Sequence, residues 1–100
     1  MTDKEGRRTV SVGERFDLMF EAKPSSGFRW TMVHMLLPDA PVRLIERGWE
    51  GAPRDAIGAP GRQRFTFEAV TRGSILLVFA YGRSWEQKKQ EQREIVITVT

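Results

Sequence analysis

Nucleophilic catalysis requires a side-chain nucleophile, a base beside it and a third group that orients the base. This chain has one histidine, His34, and no cysteine. His34 stands in "FRWTMVHM" on the same parity as Phe28, Trp30 and Met32, which predicts a histidine in the core or at the edge of a strand, not a catalytic base. A lone histidine without cysteines also supplies poorly the His, Cys and carboxylate set that zinc takes, so neither metal nor cofactor is expected. The nearest thing to an acid–base cluster is Glu46, Glu50 and Asp55, interleaved with Arg43, Arg47 and Arg54, a mixture that predicts surface ion pairs. Gly58-Ala59-Pro60-Gly61 precedes a strand pattern, whereas a phosphate loop needs its glycines just before a helix. The residues point to a protein that binds and does no chemistry.

The chain around these residues has 100 residues, 40% hydrophobic and 29% charged, the composition of one globular domain spanning 1–100. No apolar run approaches the roughly 18 residues of a membrane helix, so no membrane partner is expected. Sixteen Lys and Arg against 13 Asp and Glu leave a formal charge of +3, with the two signs interspersed. Nucleic-acid binding would require Arg62, Arg64, Arg72, Arg83, Lys88 and Lys89 to converge on one face, and no nucleic-acid partner is expected. The opening "MTDKEGRRTV" lacks the apolar core of a secretory signal. As written, the chain is expected in the cytoplasm; a trimmed leader would make it periplasmic or secreted. Without cysteines, stability must come from packing, and a monomer is expected when the protein is free.

Period-two alternation dominates the pattern. Phe16, Leu18, Phe20 and Ala22 alternate with Arg15, Asp17, Met19 and Glu21; Phe28, Trp30 and Met32 share one face of the run 28–35, which predicts Trp30 and Phe28 for the core; Phe65, Phe67 and Ala69 face away from Arg64, Thr66 and Glu68. "SILLVFAY" is continuously apolar, as a central strand would be, and "REIVITVT" alternates to the end. With the shorter runs "RTVSV" and "VRLIERGWE", about seven strands are predicted, joined by turn clusters and a polar tip at 87–92. The predicted fold is all-β: an immunoglobulin-like antiparallel β-sandwich without a disulfide.

In such a sandwich the connections after the second, fourth and sixth strands lie toward one end. Here they contain "KPSSGF", "IGAPGRQ" and "YGRSWE". Pro24 fixes its own φ and Gly27 tolerates a positive one, so the first can hold a stiff bend that loses little entropy on binding. Arg83 and Trp85 are residue types common at interface hot spots. The plainer readings are that Pro24 and Gly27 merely turn the chain and that Trp85 folds back over the sandwich end.

The order and residues of these three stretches resemble the chagasin-type inhibitors of papain-like cysteine proteases, which carry Asn-Pro-Thr-Thr-Gly-Tyr/Phe followed by Trp, then Gly-x-Gly-Gly before a strand, then Arg-Pro-Trp/Phe after a Tyr. The matching stretches are Lys23 to Phe28 with Trp30, Gly58 to Gly61, and Tyr81 to Trp85, and the resemblance spans roughly Val10 to Val99. It implies reversible, non-covalent inhibition with a papain-like cysteine protease as partner, the cleft being blocked by Pro24, Ser25, Ser26, Gly27 and Phe28, flanked by Gly58, Ala59, Pro60 and Gly61 and by Arg83, Ser84 and Trp85. Four departures bear on this. Lys23 replaces an Asn able to brace its own loop, Ser25 and Ser26 replace a stiffer Thr-Thr pair, Pro60 removes an N–H at a glycine position, and Ser84 replaces a stiffening proline. The alternative is a chagasin-like interaction domain that binds another protein without inhibiting a protease.

Overall fold

The computed structural model describes residues 5–22, 27–50, 61–83 and 91–100. They form seven strands: β1 (Glu5–Val10), β2 (Arg15–Ala22), β3 (Phe28–Met32), β4 (Val42–Glu50), β5 (Gly61–Ala69), β6 (Gly73–Arg83) and β7 (Glu91–Val99). Two sheets result, one in the order β1-β7-β6-β3 and one in the order β2-β5-β4. Their facing sides share a core, so the expected all-β sandwich is what the chain forms.

The alternation explains the core. Along β2, Phe16, Leu18, Phe20 and Ala22 are buried and the residues between them exposed. β5 contributes Phe65, Phe67 and Ala69, and β6 contributes Leu77 and Phe79, with Phe67 and Phe79 fully excluded from solvent. Burying each such large side chain contributes about 1.5–3 kcal/mol. The rings interlock: Phe20 lies 4.7 Å from Phe79 and 5.9 Å from Phe65, and Phe16 stacks on Phe67 at 5.6 Å.

Three features depart from the sequence pattern. First, β1 runs parallel to β7, Glu5 opposite Glu94 and Val10 opposite Val99, while the other pairs are antiparallel. The turn at 11–14 carries the chain from one sheet to the other, so β1 lines the edge of β7 and makes no hairpin with β2. Second, β1 begins at Glu5 and ends at Val10, so Ser11 and Val12 of the predicted "RTVSV" run fall outside the strand and Val12 is exposed. Third, β3 stops at Met32. Val33 still donates to the Val78 carbonyl at 2.8 Å, after which the chain crosses toward β4 in the other sheet. His34 therefore lies outside the strand and is exposed, contrary to its predicted place in the core or at a strand edge.

Candidate functional site

The register places six strand ends at one pole. Ala22, the last residue of β2, is opposite Gly61, the first of β5, and Glu50 at the end of β4 is opposite Arg62. In the other sheet Phe28, the first residue of β3, is opposite Arg83 at the end of β6, and Tyr81 is opposite Glu91 at the start of β7. The two sheets are tied together here: the Trp30 indole Nε1–H donates to the Glu21 carbonyl at 3.0 Å. The roots of the connections 23–27, 51–60 and 84–90 thus share one end of the molecule.

An aromatic column runs from the core to these roots. Trp30, only 2% exposed, packs on Phe20 at 5.0 Å and on Tyr81 at 4.9 Å. Tyr81 packs on Phe28 at 5.4 Å, and the Arg83 guanidinium caps the Phe28 ring at 4.5 Å. The Arg93 guanidinium lies over Trp30 at 5.4 Å and is held by Glu91 at 3.2 Å. Aromatic pairs contribute about 0.5–1.5 kcal/mol each beyond the area they bury, so the column fixes the roots of the first and third connections with little freedom.

Gln63 completes this end. It is the buried polar side chain on the inner face of β5, accepting from the Trp30 N–H through Oε1 and donating from Nε2 to the Trp30 carbonyl, both at 2.7 Å. Its amide acts as a one-residue surrogate strand, satisfying edge groups of β3 that would otherwise be buried without partners. The sequence analysis missed it. The available signal is that Gln63 occupies the parity of Gly61, Phe65, Phe67 and Ala69, a polar residue in an apolar row.

On the outer face, Arg64 ties down the root of the connection 51–60. Its guanidinium bonds Glu50 and lies 3.5 Å from Glu46. Gly48 leaves room for this guanidinium, which a Cβ there would displace, its Nη2 lying 2.8 Å from that position. The hydrogen bond that Arg64 donates to Glu50 raises the Arg64 pKa further above its already high ordinary value, so the charge is permanent. Glu46 and Glu50 thus form the expected surface ion pairs, with Arg64 as their partner, while Arg43 pairs with Glu68 at 2.8 Å. Asp55 and Arg54 lie outside the described residues.

Of the predicted contact residues, Gly27 (φ 81°), Phe28, Gly61 and Arg83 are described, and all four sit at this pole. Trp30 is buried as predicted and Phe28 half-buried. Pro24, Ser25, Ser26, Gly58, Ala59, Pro60, Ser84 and Trp85 lie outside the described residues, as do Lys23, Lys88 and Lys89. The cations that nucleic-acid binding would need do not converge: Arg64 is committed to Glu50, Arg83 caps Phe28, and Arg72 lies beside Gly73 at the opposite pole.

The fold is that of a β-sandwich with three connections rooted at one pole. The chain belongs to the chagasin family of peptidase inhibitors: the family model "Chagasin family peptidase inhibitor I42" matches residues 9–99. It works by binding and is not an enzyme. No curated protein matches the chain. Among solved structures, the cysteine protease inhibitor EhICP2 from Entamoeba histolytica has a TM-score of 0.78 at 16% identity, over 98% of this chain and 89% of that one. PbICP-C, solved in complex with falcipain-2, has a TM-score of 0.70 at 19% identity, over 99% of this chain and 91% of that one. Amebosin has a TM-score of 0.67 at 13% identity, over 99% and 100%. These similarities establish the fold.

Proposed function

We propose that this chain is a reversible, non-covalent inhibitor of papain-like cysteine proteases and that the pole described above enters the active-site cleft. On this reading Pro24, Ser25, Ser26 and Gly27 form the central probe. Gly58, Ala59, Pro60 and Gly61 flank it on one side, and Arg83, Ser84 and Trp85 on the other. Phe28 chiefly supports the probe, because its ring is already engaged by Tyr81 and Arg83.

The observation that carries this reading is the convergence of all three loop roots on one braced pole. Bracing matters because ordering side chains and loops costs affinity, and roots fixed before encounter have less freedom to lose. The similarity to EhICP2 and PbICP-C, the first described as a cysteine protease inhibitor and the second seen with falcipain-2, agrees with it. Nothing in the mechanism breaks or makes a bond: inhibition is occlusion, selectivity comes from shape and hydrogen bonding, and the +3 charge favours encounter with acidic enzymes.

The test is titration of papain and of a cathepsin L-type enzyme with the purified protein, reading hydrolysis of a fluorogenic peptide. Stoichiometric inhibition that reverses on dilution is expected. Trp85→Ala should weaken it about tenfold, the loss of one hot-spot side chain. Gly27→Pro should weaken it more, since proline cannot adopt a φ of 81°. A folded wild type that blocks neither enzyme at micromolar concentration would replace this reading with that of a non-inhibitory interaction domain.

A further inference from the structure

Next to this pole stands an aromatic side chain that belongs to none of the three connections. Trp49 is 40% exposed, although it faces Gln63, a buried residue of the inner row. A bulge in β4 sets this facing. Leu44 pairs with Phe67 and Glu46 with Thr66, leaving Ile45 as the extra residue, and the shift turns Arg47 and Trp49 onto the side that faces the other sheet. Since β4 is an edge strand, both side chains project at the open flank between the sheets. Trp49 is one residue, about 3.3 Å of strand, before the end of β4 at the pole.

One cation lies over this indole and a second stands nearby on its strand. The Arg29 guanidinium, from β3 in the opposite sheet, lies 5.9 Å from the centre of the Trp49 ring. Arg47 is two residues away on the same strand. Both arginines are exposed, and among the described residues neither has a carboxylate within ion-pair distance, whereas Arg43 on the same strand has Glu68. The flank therefore presents an indole face, held in place by a cation–π contact, together with two positive charges that lack counter-charges. Tryptophan and arginine are the residue types that most often carry binding energy at protein interfaces.

We propose that Trp49, Arg29 and Arg47 form a fourth, side-mounted contact that seats on an acidic rim beside the protease cleft and selects among proteases. The inference rests on the inhibitor reading above and assigns it a specificity determinant outside the loops. The fitting partner surface is an apolar shelf flanked by carboxylates. Against a basic rim the same two arginines repel, which gives discrimination through a penalty as well as a gain.

Inhibition constants of the wild type, Arg29→Glu, Arg47→Glu and Trp49→Ala should be measured against two papain-like proteases, one acidic and one basic around the cleft, at low and high salt, with thermal midpoints in parallel. The charge reversals should weaken inhibition of the acidic enzyme about tenfold or more, an effect that shrinks in high salt. They should leave the basic enzyme unaffected or better inhibited, and leave the midpoints unchanged. Trp49→Ala should weaken inhibition of the acidic enzyme about tenfold. Charge reversals that alter neither enzyme, or both equally, would overturn the proposal. So would a Trp49→Ala variant that melts earlier yet inhibits normally, because the indole would then only seal the flank. A wild type that blocks neither enzyme would remove the inhibitor reading together with this one; normal inhibition by every variant would remove this one alone.

Discussion

At the pole away from the proposed site, the strands are joined by tight, mutually bonded turns. Glu14 N–H donates to the Ser11 carbonyl at 2.9 Å, Gly13 N–H to Ala69 at 2.8 Å, Val70 N–H to Pro41 at 2.8 Å and Thr100 N–H to Val10 at 2.8 Å. Backbone pairs with backbone across the sheets there, and Gly13 and Gly73 supply the positive φ values, 90° and 147°. At the loop-bearing pole, among the described residues, side chains provide the ties: the column from Phe20 through Trp30 and Tyr81 to Phe28, the Gln63 amide on Trp30, and Arg64 on Glu50. One fold can thus close its far end economically with main chain. At the other end the side chains just beneath the connections hold the roots in place.

Trp30→Ala breaks that contrast most strongly. It should cost about 3–5 kcal/mol in urea unfolding, and inhibition should fall even at temperatures where the variant remains folded. Gln63→Leu keeps the apolar row but leaves the Trp30 N–H and C=O unpaired; a loss of about 2–4 kcal/mol is expected, with faster hydrogen exchange of the Trp30 amide as the local signature. At the opposite pole, Gly73→Ala meets both an unfavourable φ and the Pro41 ring, 3.3 Å from the new Cβ. It should cost about 1–3 kcal/mol yet leave the inhibition constant unchanged below the melting transition, separating stability from function by pole. Glu50→Gln should have the smallest effect, since a half-buried surface pair contributes little and added salt should shrink the difference in thermal midpoint.

Much of the fold is legible in the sequence because strand faces obey a two-residue period. The rows Phe16-Leu18-Phe20-Ala22 and Phe65-Phe67-Ala69 can be read directly, and the pole shared by the three connections follows from strand order. What resists reading is set by partners distant along the chain. The alternation of 28–35 continues through Met35, but β3 ends at Met32 because the chain must leave one sheet for the other, and no local residue type announces that crossing. The parallel pairing of β1 with β7 depends on contacts some 90 residues apart in sequence. The bulge at Ile45, which reverses the facing of Arg47 and Trp49, interrupts a run whose pattern was already weak. Gln63 is visible only as an anomaly whose purpose emerges when Trp30 is placed beside it.

The pairing of Thr100 with Val10 has a practical meaning. It anchors Thr100 at the pole of the sandwich remote from the roots of the three connections. A surface linker, fluorophore or carrier attached at Thr100 would therefore sit at the far pole and leave the proposed binding end turned away from the support, making the protein an oriented capture reagent that needs no re-engineering of its own contacts.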